Sequence, residues 1–295
     1  MKKIKGHGVA MITPFNKNLK VDFDSISKIT ENLLNNGTDF LVLLGTTSES
    51  PTVLKDEKKD IIDHIVTINS NRVPLLLGLG SNSTQEVLND LKYYNLDPFS
   101  AILSVTPYYN KPNQTGLYNH YRSIAINSPL PIILYNVPGR TGINLTPDTV
   151  FTLARDFENI IGIKEASNNL DQAKEIISKC SKDFIVLSGD DHLAAPMIIS
   201  GAKGLISVIG NAIPRTCSSL VNLALENNID KALLLQNEIS NLIKMIFSEG
   251  NPTGIKALMN ILGLCQNELR LPLVPASNKL FEMLKEEITL NKGFL

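Results

Sequence analysis

The 295-residue sequence predicts an α/β fold, namely a (β/α)8 TIM barrel with a C-terminal helical extension. Two observations lead to this prediction. Short apolar runs of strand length alternate eight times with segments of helical periodicity, and the count is complete by about residue 225. The rest of the chain shows helical patterns only. We therefore expect a barrel domain at residues 1–227 and a helical domain at residues 228–295.

The eight predicted strands are rich in Val, Ile and Leu, which is typical of parallel strands buried on both faces. They span residues 8–12, 40–44, 74–78, 101–105, 131–135, 160–164, 184–188 and 204–208. Apolar stripes with the spacing of an amphipathic helix run through residues 23–34 and 57–68. Ser83 and the pair Thr146-Pro147 are typical of helix starts. A doubly wound open sheet is disfavoured because no Gly-x-Gly-x-x-Gly follows the first strand.

Charge and cysteine usage exclude several classes of protein. Lys plus Arg total 28 against 29 acidic residues, so the net charge of -1 predicts binding neither to nucleic acid nor to an anionic membrane. No apolar stretch is long enough to span a bilayer, and no apolar core follows the N-terminal lysines. The scattered cysteines predict reduced thiols in the cytoplasm. Residues 190–192 (DDH) are typical of a helix start, and we expect no metal site there.

Lys164 is the first candidate catalytic residue. It ends the apolar run at residues 160–163, whereas lysine is usually strongly hydrated. A partly apolar setting favours the neutral form of an amine, and a neutral amine attacks carbonyl groups, as in Schiff-base enzymes. The alternative is a lysine that only extends from the strand end into water. The barrel favours catalysis, because catalytic groups of this fold lie where the strands end.

Other predicted strand ends carry polar groups that would converge with Lys164. Thr46 and Thr47 lie in a turn whose N–H groups and hydroxyls suit an anion. We prefer a carboxylate to a phosphate, because no Gly-rich loop with a lysine follows the seventh or eighth strand. Tyr135 is either a relay hydroxyl within reach of a lysine adduct or a core aromatic. Arg140, in a Pro/Gly loop, is either a bidentate carboxylate ligand or a solvated charge.

Several segments together resemble one known family. Residues 45–50 (GTTSES), 135–142 (YNVPGRTG) and 162–166 (GIKEA) are similar to signature motifs of the dihydrodipicolinate synthase/N-acetylneuraminate lyase family, and residues 106–112 (TPYYNKP) resemble its synthase branch. The resemblance extends from residues 8–15 to the helical tail. It implies a homotetramer built as a dimer of dimers. It also implies condensation of pyruvate with aspartate 4-semialdehyde to 4-hydroxy-tetrahydrodipicolinate, towards diaminopimelate and lysine.

The resemblance implies roles for four catalytic residues. Lys164 would form a Schiff base with pyruvate, and no other cofactor would be needed. Thr46, Tyr135 and Tyr109 would relay protons, and Tyr109 would reach across a subunit interface into a neighbouring site. Linked hydroxyls can move the protons of iminium formation without a histidine.

Four further positions acquire binding roles from the same resemblance. Thr47, together with Thr46, would hold the pyruvate carboxylate, and Arg140 would receive the carboxylate of the semialdehyde. Backbone oxygens near Gly189 and Ile206 would line the pocket. One departure from the family motif is Ser48, where the family commonly has Gly. We expect Ser48 to be costly if that position requires a positive φ, but not to abolish activity.

A second departure concerns regulation by lysine. Four positions match the allosteric site of lysine-inhibited relatives, and they are Ser50, Asn82, Glu86 and Tyr108. Lys55 and Lys58 stand where those relatives have histidines. Because two ammonium groups repel a cationic ligand, we expect weak inhibition by lysine or none.

Three other functions remain open at this point. An N-acetylneuraminate lyase or keto-deoxy-sugar aldolase would keep Lys164 and Tyr135, but such enzymes generally lack an arginine matching Arg140. A phosphate-binding barrel enzyme would be inhibited by inorganic phosphate. A non-catalytic barrel is disfavoured by the intact set of candidate catalytic residues.

Overall fold

Eight parallel strands close into a barrel in chain order, with β8 paired back to β1. The computed structural model describes residues 4–294, so the outermost ends of the two predicted domains and the N-terminal lysines lie outside it. The strands are β1 Gly6–Ala10, β2 Phe40–Leu43, β3 Leu75–Gly78, β4 Ala101–Val105, β5 Ile132–Asn136, β6 Ile160–Glu165, β7 Ile185–Ser188 and β8 Gly204–Ser207. The predicted fold class is confirmed.

Helices alternate with the strands and then continue alone. The helices that alternate with the strands are α1 Phe23–Asn35, α2 Lys55–Asn69, α3 Thr84–Tyr93, α4 Gln114–Asn127, α5 Pro138–Thr141, α6 Pro147–Asp156, α7 Leu170–Lys179, α8 Ala194–Ile199 and α9 Pro214–Leu225. The C-terminal extension consists of α10 Ile229–Glu238, α11 Ser240–Ser248, α12 Thr253–Ile261 and α13 Asn278–Leu290. The predicted cap is present, because Ser83 Oγ accepts a hydrogen bond from the Glu86 N–H.

The barrel interior is filled from its N-terminal end. Phe40, the first residue of β2, is completely buried there among apolar side chains such as Leu76 and Ile133. Gly8 makes this possible, because a Cβ at that position would lie 2.1 Å from the Phe40 ring. A second apolar layer lies between the strands and the helices. Because the barrel interior is packed near the N-terminal ends of the strands, the C-terminal strand ends are the place for a functional site.

Strand β1 differs from its prediction by two residues. Its apolar pattern starts at residue 8, but the ladder to β8 already begins with the pairing of Gly6 and Gly204. A Cβ on Gly204 would lie 2.1 Å from the Gly6 carbonyl oxygen, so the close approach requires glycine. The two glycines therefore start the strand before its hydrophobic pattern does.

The division at residues 227 and 228 stays a prediction. Helix α9 ends at Leu225 and α10 begins at Ile229, near that boundary. However, apolar residues of α11 and α12 belong to the same continuous core as the barrel helices, including Ile243 and Leu258. Of the helices between residues 4 and 294, none is both long and apolar enough to cross a membrane.

Candidate active site

A cavity of about 370 Å³ opens where strands β2 to β5 end. Three of the predicted catalytic or substrate-binding residues line it: Thr46, Tyr135 and Arg140. Its charged lining residues are Arg140 and Lys58, and no carboxylate is found among the described residues that line it. Because the lining offers positive charge without a counter-charge, the cavity suits an anionic ligand.

Lys164 contacts Tyr135, which lines this cavity. The two residues are directly paired on β5 and β6, and the Lys164 Nζ is 4.4 Å from the centre of the Tyr135 ring. Lys164 is only 5% exposed. Gly189, at the end of β7, leaves room for it, because a Cβ there would lie 2.8 Å from Lys164 Cε. Ile206 is buried on β8 inside the barrel.

The turn after β2 carries Thr46 and Thr47 on a short 3₁₀ helix. Thr46–Ser48 forms one turn of 3₁₀ helix between two left-handed residues, Leu44 (φ 55°) and Glu49 (φ 53°). Ser48 itself does not have a positive φ, and its hydroxyl donates to the Gly45 carbonyl oxygen at 2.8 Å. The conditional cost expected for Ser48 therefore does not arise, because serine fits this backbone and tightens the turn.

A buried ion pair holds this turn against the C-terminal helices. Glu49 is paired with Lys256 of α12, and both side chains are completely buried. The other Glu49 oxygen accepts from the Arg270 N–H at 3.1 Å, and Lys256 also donates to the Glu268 carbonyl oxygen at 2.9 Å. The pair thereby fixes the left-handed Glu49. The sequence alone does not reveal this pair, because nothing in the local pattern links residues 207 positions apart.

Asn251 forms a second connection between the barrel and the extension. Its side-chain Nδ2 donates to Thr47 Oγ1 at 3.1 Å, while its backbone carbonyl oxygen accepts from Arg140 Nη2 at 3.2 Å. Thr47 is buried and is not among the residues that line the cavity. Asn251 has no signal in the sequence either, since it follows a glycine in a loop between two helices.

Glu165, next to Lys164, is a third residue whose role the sequence alone does not reveal. It is buried, and its carboxylate accepts from Asn136 Nδ2 at 3.1 Å, Gln172 Nε2 at 3.1 Å and the Ser167 N–H at 2.7 Å. Burial raises the pKa of Glu165, and these hydrogen bonds partly oppose that change. The network ties the residue after Tyr135 to the residue after Lys164, so it fixes their relative position.

Tyr109 is not brought to the site of its own chain. Its side chain is 88% exposed, and its backbone has φ 74°, an unusual conformation for an aromatic residue. The next residue, Asn110, is anchored by a 2.9 Å hydrogen bond from its side-chain amide to the Asn82 carbonyl oxygen. Tyr109 is therefore exposed on an anchored loop and is not among the residues that line the cavity.

The residues of the predicted allosteric cleft are partly brought together. Ser50, Lys58 and Tyr108 line the cavity described above. Lys55 forms an exposed ion pair with Asp90, with a 3.1 Å distance between Nζ and Oδ1. Lys58 is half-buried, and burial lowers its pKa. Asn82 and Glu86 lie just before and in the first turn of α3, outside the lining of the cavity.

The segment at residues 190–192 caps a short turn, as the sequence predicts. The Asp190 carboxylate accepts from the His192 N–H at 2.9 Å. Asp191 is buried and accepts from Ser207 Oγ at 2.6 Å and from the Val208 N–H at 2.9 Å. Within residues 4–294, no group of three or more His, Cys, Asp or Glu side chains is arranged to hold a metal ion.

Comparison with known proteins agrees with this geometry. The model of the dihydrodipicolinate synthetase family matches residues 3–290. The 4-hydroxy-tetrahydrodipicolinate synthase of Parabacteroides distasonis is 47% identical over 283 residues, which cover 96% of this chain and 95% of that protein. The enzyme of the same name from Karelsulcia muelleri is 49% identical over 281 residues, covering 95% of each.

Solved structures of dihydrodipicolinate synthases are also similar to this chain. The dihydrodipicolinate synthase of Thermotoga maritima superimposes with a TM-score of 0.95 at 39% identity, covering 99% of each chain. The chloride-inhibited dihydrodipicolinate synthase of Acinetobacter baumannii, complexed with pyruvate, has a TM-score of 0.95 at 38% identity, covering 99% of this chain and 100% of that one.

The chain belongs to the dihydrodipicolinate synthetase family. Within it, the relatives named above are 4-hydroxy-tetrahydrodipicolinate synthases, and this is the activity of the chain as well. The predicted family and the predicted synthase function are thus confirmed, and the sugar-acid lyase alternative is disfavoured.

Proposed function

We propose that this site condenses pyruvate with L-aspartate 4-semialdehyde through a Schiff base between pyruvate and Lys164. The observation that carries the proposal is the geometry of Lys164, a buried amine at a strand end beside Tyr135 and a cavity lined by positive charge. A relative of the chain has been solved with pyruvate bound, which supports pyruvate as one substrate.

The chemistry requires a nucleophile and several proton transfers. The Lys164 amine attacks the ketone carbon of pyruvate, and the carbinolamine loses water to give an iminium ion. Loss of a methyl proton gives an enamine, whose carbon attacks the aldehyde of the second substrate. The hydroxyls of Thr46, Tyr135 and a neighbouring subunit's copy of Tyr109 relay these protons. Attack of the semialdehyde's amino group then releases Lys164 and closes the ring of 4-hydroxy-tetrahydrodipicolinate.

Substrate binding follows the distribution of charge and hydrogen-bond donors. Thr46 and Thr47 bind the carboxylate of pyruvate, and Arg140 binds the carboxylate of the semialdehyde at the entrance. Backbone oxygens at Gly189 and Ile206 complete the pocket around the adduct. The close packing of Gly189 against Lys164 supports this arrangement.

Borohydride reduction in the presence of pyruvate tests the proposed function. We expect a stable adduct that peptide mass spectrometry assigns to Lys164, and no adduct in Lys164→Arg. An adduct on Lys203 or Lys256 would contradict the assignment. Lys256 is the stringent internal control, because it is buried and already paired with Glu49.

Arg140→Ala should impair use of the semialdehyde far more than binding of pyruvate. A hydrogen bond to a charged group contributes roughly 1.5–3 kcal/mol, so kcat/KM for the semialdehyde should fall about tenfold to a hundredfold. Steady-state kinetics with each substrate varied in turn measure the difference. Arg122→Ala, on the exposed side of α4, is the matched control. Equal weakening for both substrates would contradict a selective role for Arg140.

We also propose a homotetramer, a dimer of dimers, in the cytoplasm. The exposed Tyr109 on its anchored loop supports a subunit interface at that point. The three cysteines are free, in keeping with a reducing compartment. Light scattering should give four times the mass of the 32.4 kDa chain. Cell fractionation should recover the protein with cytoplasmic enzymes.

Free lysine is expected to inhibit weakly or not at all. Lys58 presents a positive charge inside the cavity, close to where a cationic effector would bind. A close like-charge contact costs on the order of 1 kcal/mol even in water-like dielectric. The test is a titration of lysine at saturating pyruvate, with Lys55→His/Lys58→His as the variant expected to gain sensitivity. Half-inhibition of the unaltered enzyme below about 1 mM would contradict the prediction.

A further inference from the structure

One residue of the helical extension contacts two of the three residues proposed to bind substrate carboxylates. Asn251 lies in the loop between α11 and α12 and is 8% exposed. Its side chain contacts Thr47, and its backbone carbonyl contacts Arg140. The two contacts use different parts of Asn251, so they can be separated by mutation.

The direction of the hydrogen bond to Thr47 determines what that hydroxyl can do. A threonine hydroxyl has one proton and two acceptor lone pairs. Asn251 Nδ2 donates to Thr47 Oγ1, so this hydrogen bond occupies one lone pair of the Thr47 oxygen. The Thr47 hydroxyl proton therefore stays free to be donated to another group. A carboxylate only accepts hydrogen bonds, so a free hydroxyl proton is what a carboxylate-binding residue needs.

The other end of the same amide is unpaired. Asn251 Oδ1 is buried and has no hydrogen-bond partner among the described residues. A buried acceptor without a partner lowers stability, and such groups in native proteins call for an explanation. The amide orientation that leaves Oδ1 unpaired also directs Nδ2 at Thr47. This orientation is explained if the site requires a hydrogen-bond donor to the Thr47 hydroxyl.

We propose that Asn251 is a positioning residue for both substrates. Its side-chain amide orients the Thr47 hydroxyl as a donor towards the pyruvate carboxylate, and its backbone carbonyl holds Arg140 in place for the semialdehyde. The inference rests on the proposed function of Thr47 and Arg140. It makes the helical extension part of the active site, locked in place by the nearby pair of Glu49 and Lys256.

Two near-isosteric variants test the side-chain half of this proposal. Asn251→Leu removes the donor, and we expect the KM for pyruvate to rise about tenfold. Asn251→Asp replaces the donor with a negatively charged acceptor, so the KM for pyruvate should rise by more than about tenfold. In both, the KM for the semialdehyde should change less than about twofold, because the carbonyl that holds Arg140 is retained. Arg140→Ala should give the opposite pattern.

The alternative is that Asn251 only supports the fold of its loop. That role predicts equal increases in both KM values together with a loss of thermal stability, and this result would overturn the proposal. An unchanged pyruvate KM in Asn251→Asp would overturn it as well. If Asn251→Leu does not fold, the polar variants Asn251→Asp and Asn251→Ser still decide the question. Borohydride trapping on the unaltered enzyme distinguishes failure of this inference from failure of the proposed function. If pyruvate is trapped at Lys164 but the Asn251 variants keep their KM values, only the inference about Asn251 is refuted.

Discussion

Lys164→Arg and Tyr109→Phe should each be nearly inactive alone, whereas mixed oligomers of the two should recover activity. Arginine stays protonated and cannot form the Schiff base, so turnover of Lys164→Arg should fall by at least about a thousandfold. Tyr109→Phe loses a relay hydroxyl. The exposed Tyr109 does not reach the site of its own chain. Each site should therefore take its Lys164 from one subunit and its Tyr109 from a neighbouring subunit.

The activity expected of the mixed oligomers follows from how each site is assembled. In a pair that contains one copy of each variant, one site has an intact Lys164 and an intact Tyr109 from different chains, and the other site has neither. The mixed pairs should therefore approach half of the activity of the unaltered enzyme. Subunits carrying two distinguishable tags allow the mixed species to be purified before the assay. No recovery in a purified mixed oligomer would assign Tyr109 to its own subunit or remove it from catalysis.

Lys256→Met should destabilise the protein by about 3–5 kcal/mol, because it leaves the buried Glu49 carboxylate without its partner. Denaturant unfolding followed by circular dichroism measures the change in the free energy of unfolding. We also expect a lower kcat, since Glu49 directly follows the turn that carries Thr46 and Thr47. The matched control is Lys285→Met, whose ion pair with Glu282 is exposed and long at 3.9 Å. That variant should change stability by less than about 1 kcal/mol.

A double variant distinguishes the ion pair from simple loss of packing. Glu49→Gln/Lys256→Met removes both charges, and it should be more stable than Lys256→Met alone, because no isolated charge is then buried. If Lys256→Met alone costs less than about 1 kcal/mol, the pair does not hold the turn. If the double variant is no more stable than the single one, the penalty comes from packing rather than charge.

The sequence by itself determined the features that depend on local pattern. Apolar runs and helical stripes predicted the barrel, and they placed seven of the eight strands to within one residue at each end. This was possible because each run indicates a strand that is buried on both faces. Lys164 could be singled out as a candidate catalytic residue, because a lysine at the end of a buried strand conflicts with its usual hydration. The motif containing Thr46 and Thr47, together with Tyr135 and Arg140, could be found because barrel strands end on one side.

Only the tertiary structure decided which distant residues meet. Glu49 with Lys256 and Thr47 with Asn251 are separated by 207 and 204 positions, and Arg140 with Asn251 by 111. A hydrophobic period tells which face of an element is buried, but not which other element covers it. That choice is made when the barrel closes and the C-terminal helices pack against its mouth. Only the structure shows that position 48 does not have the positive φ that would have made serine costly there.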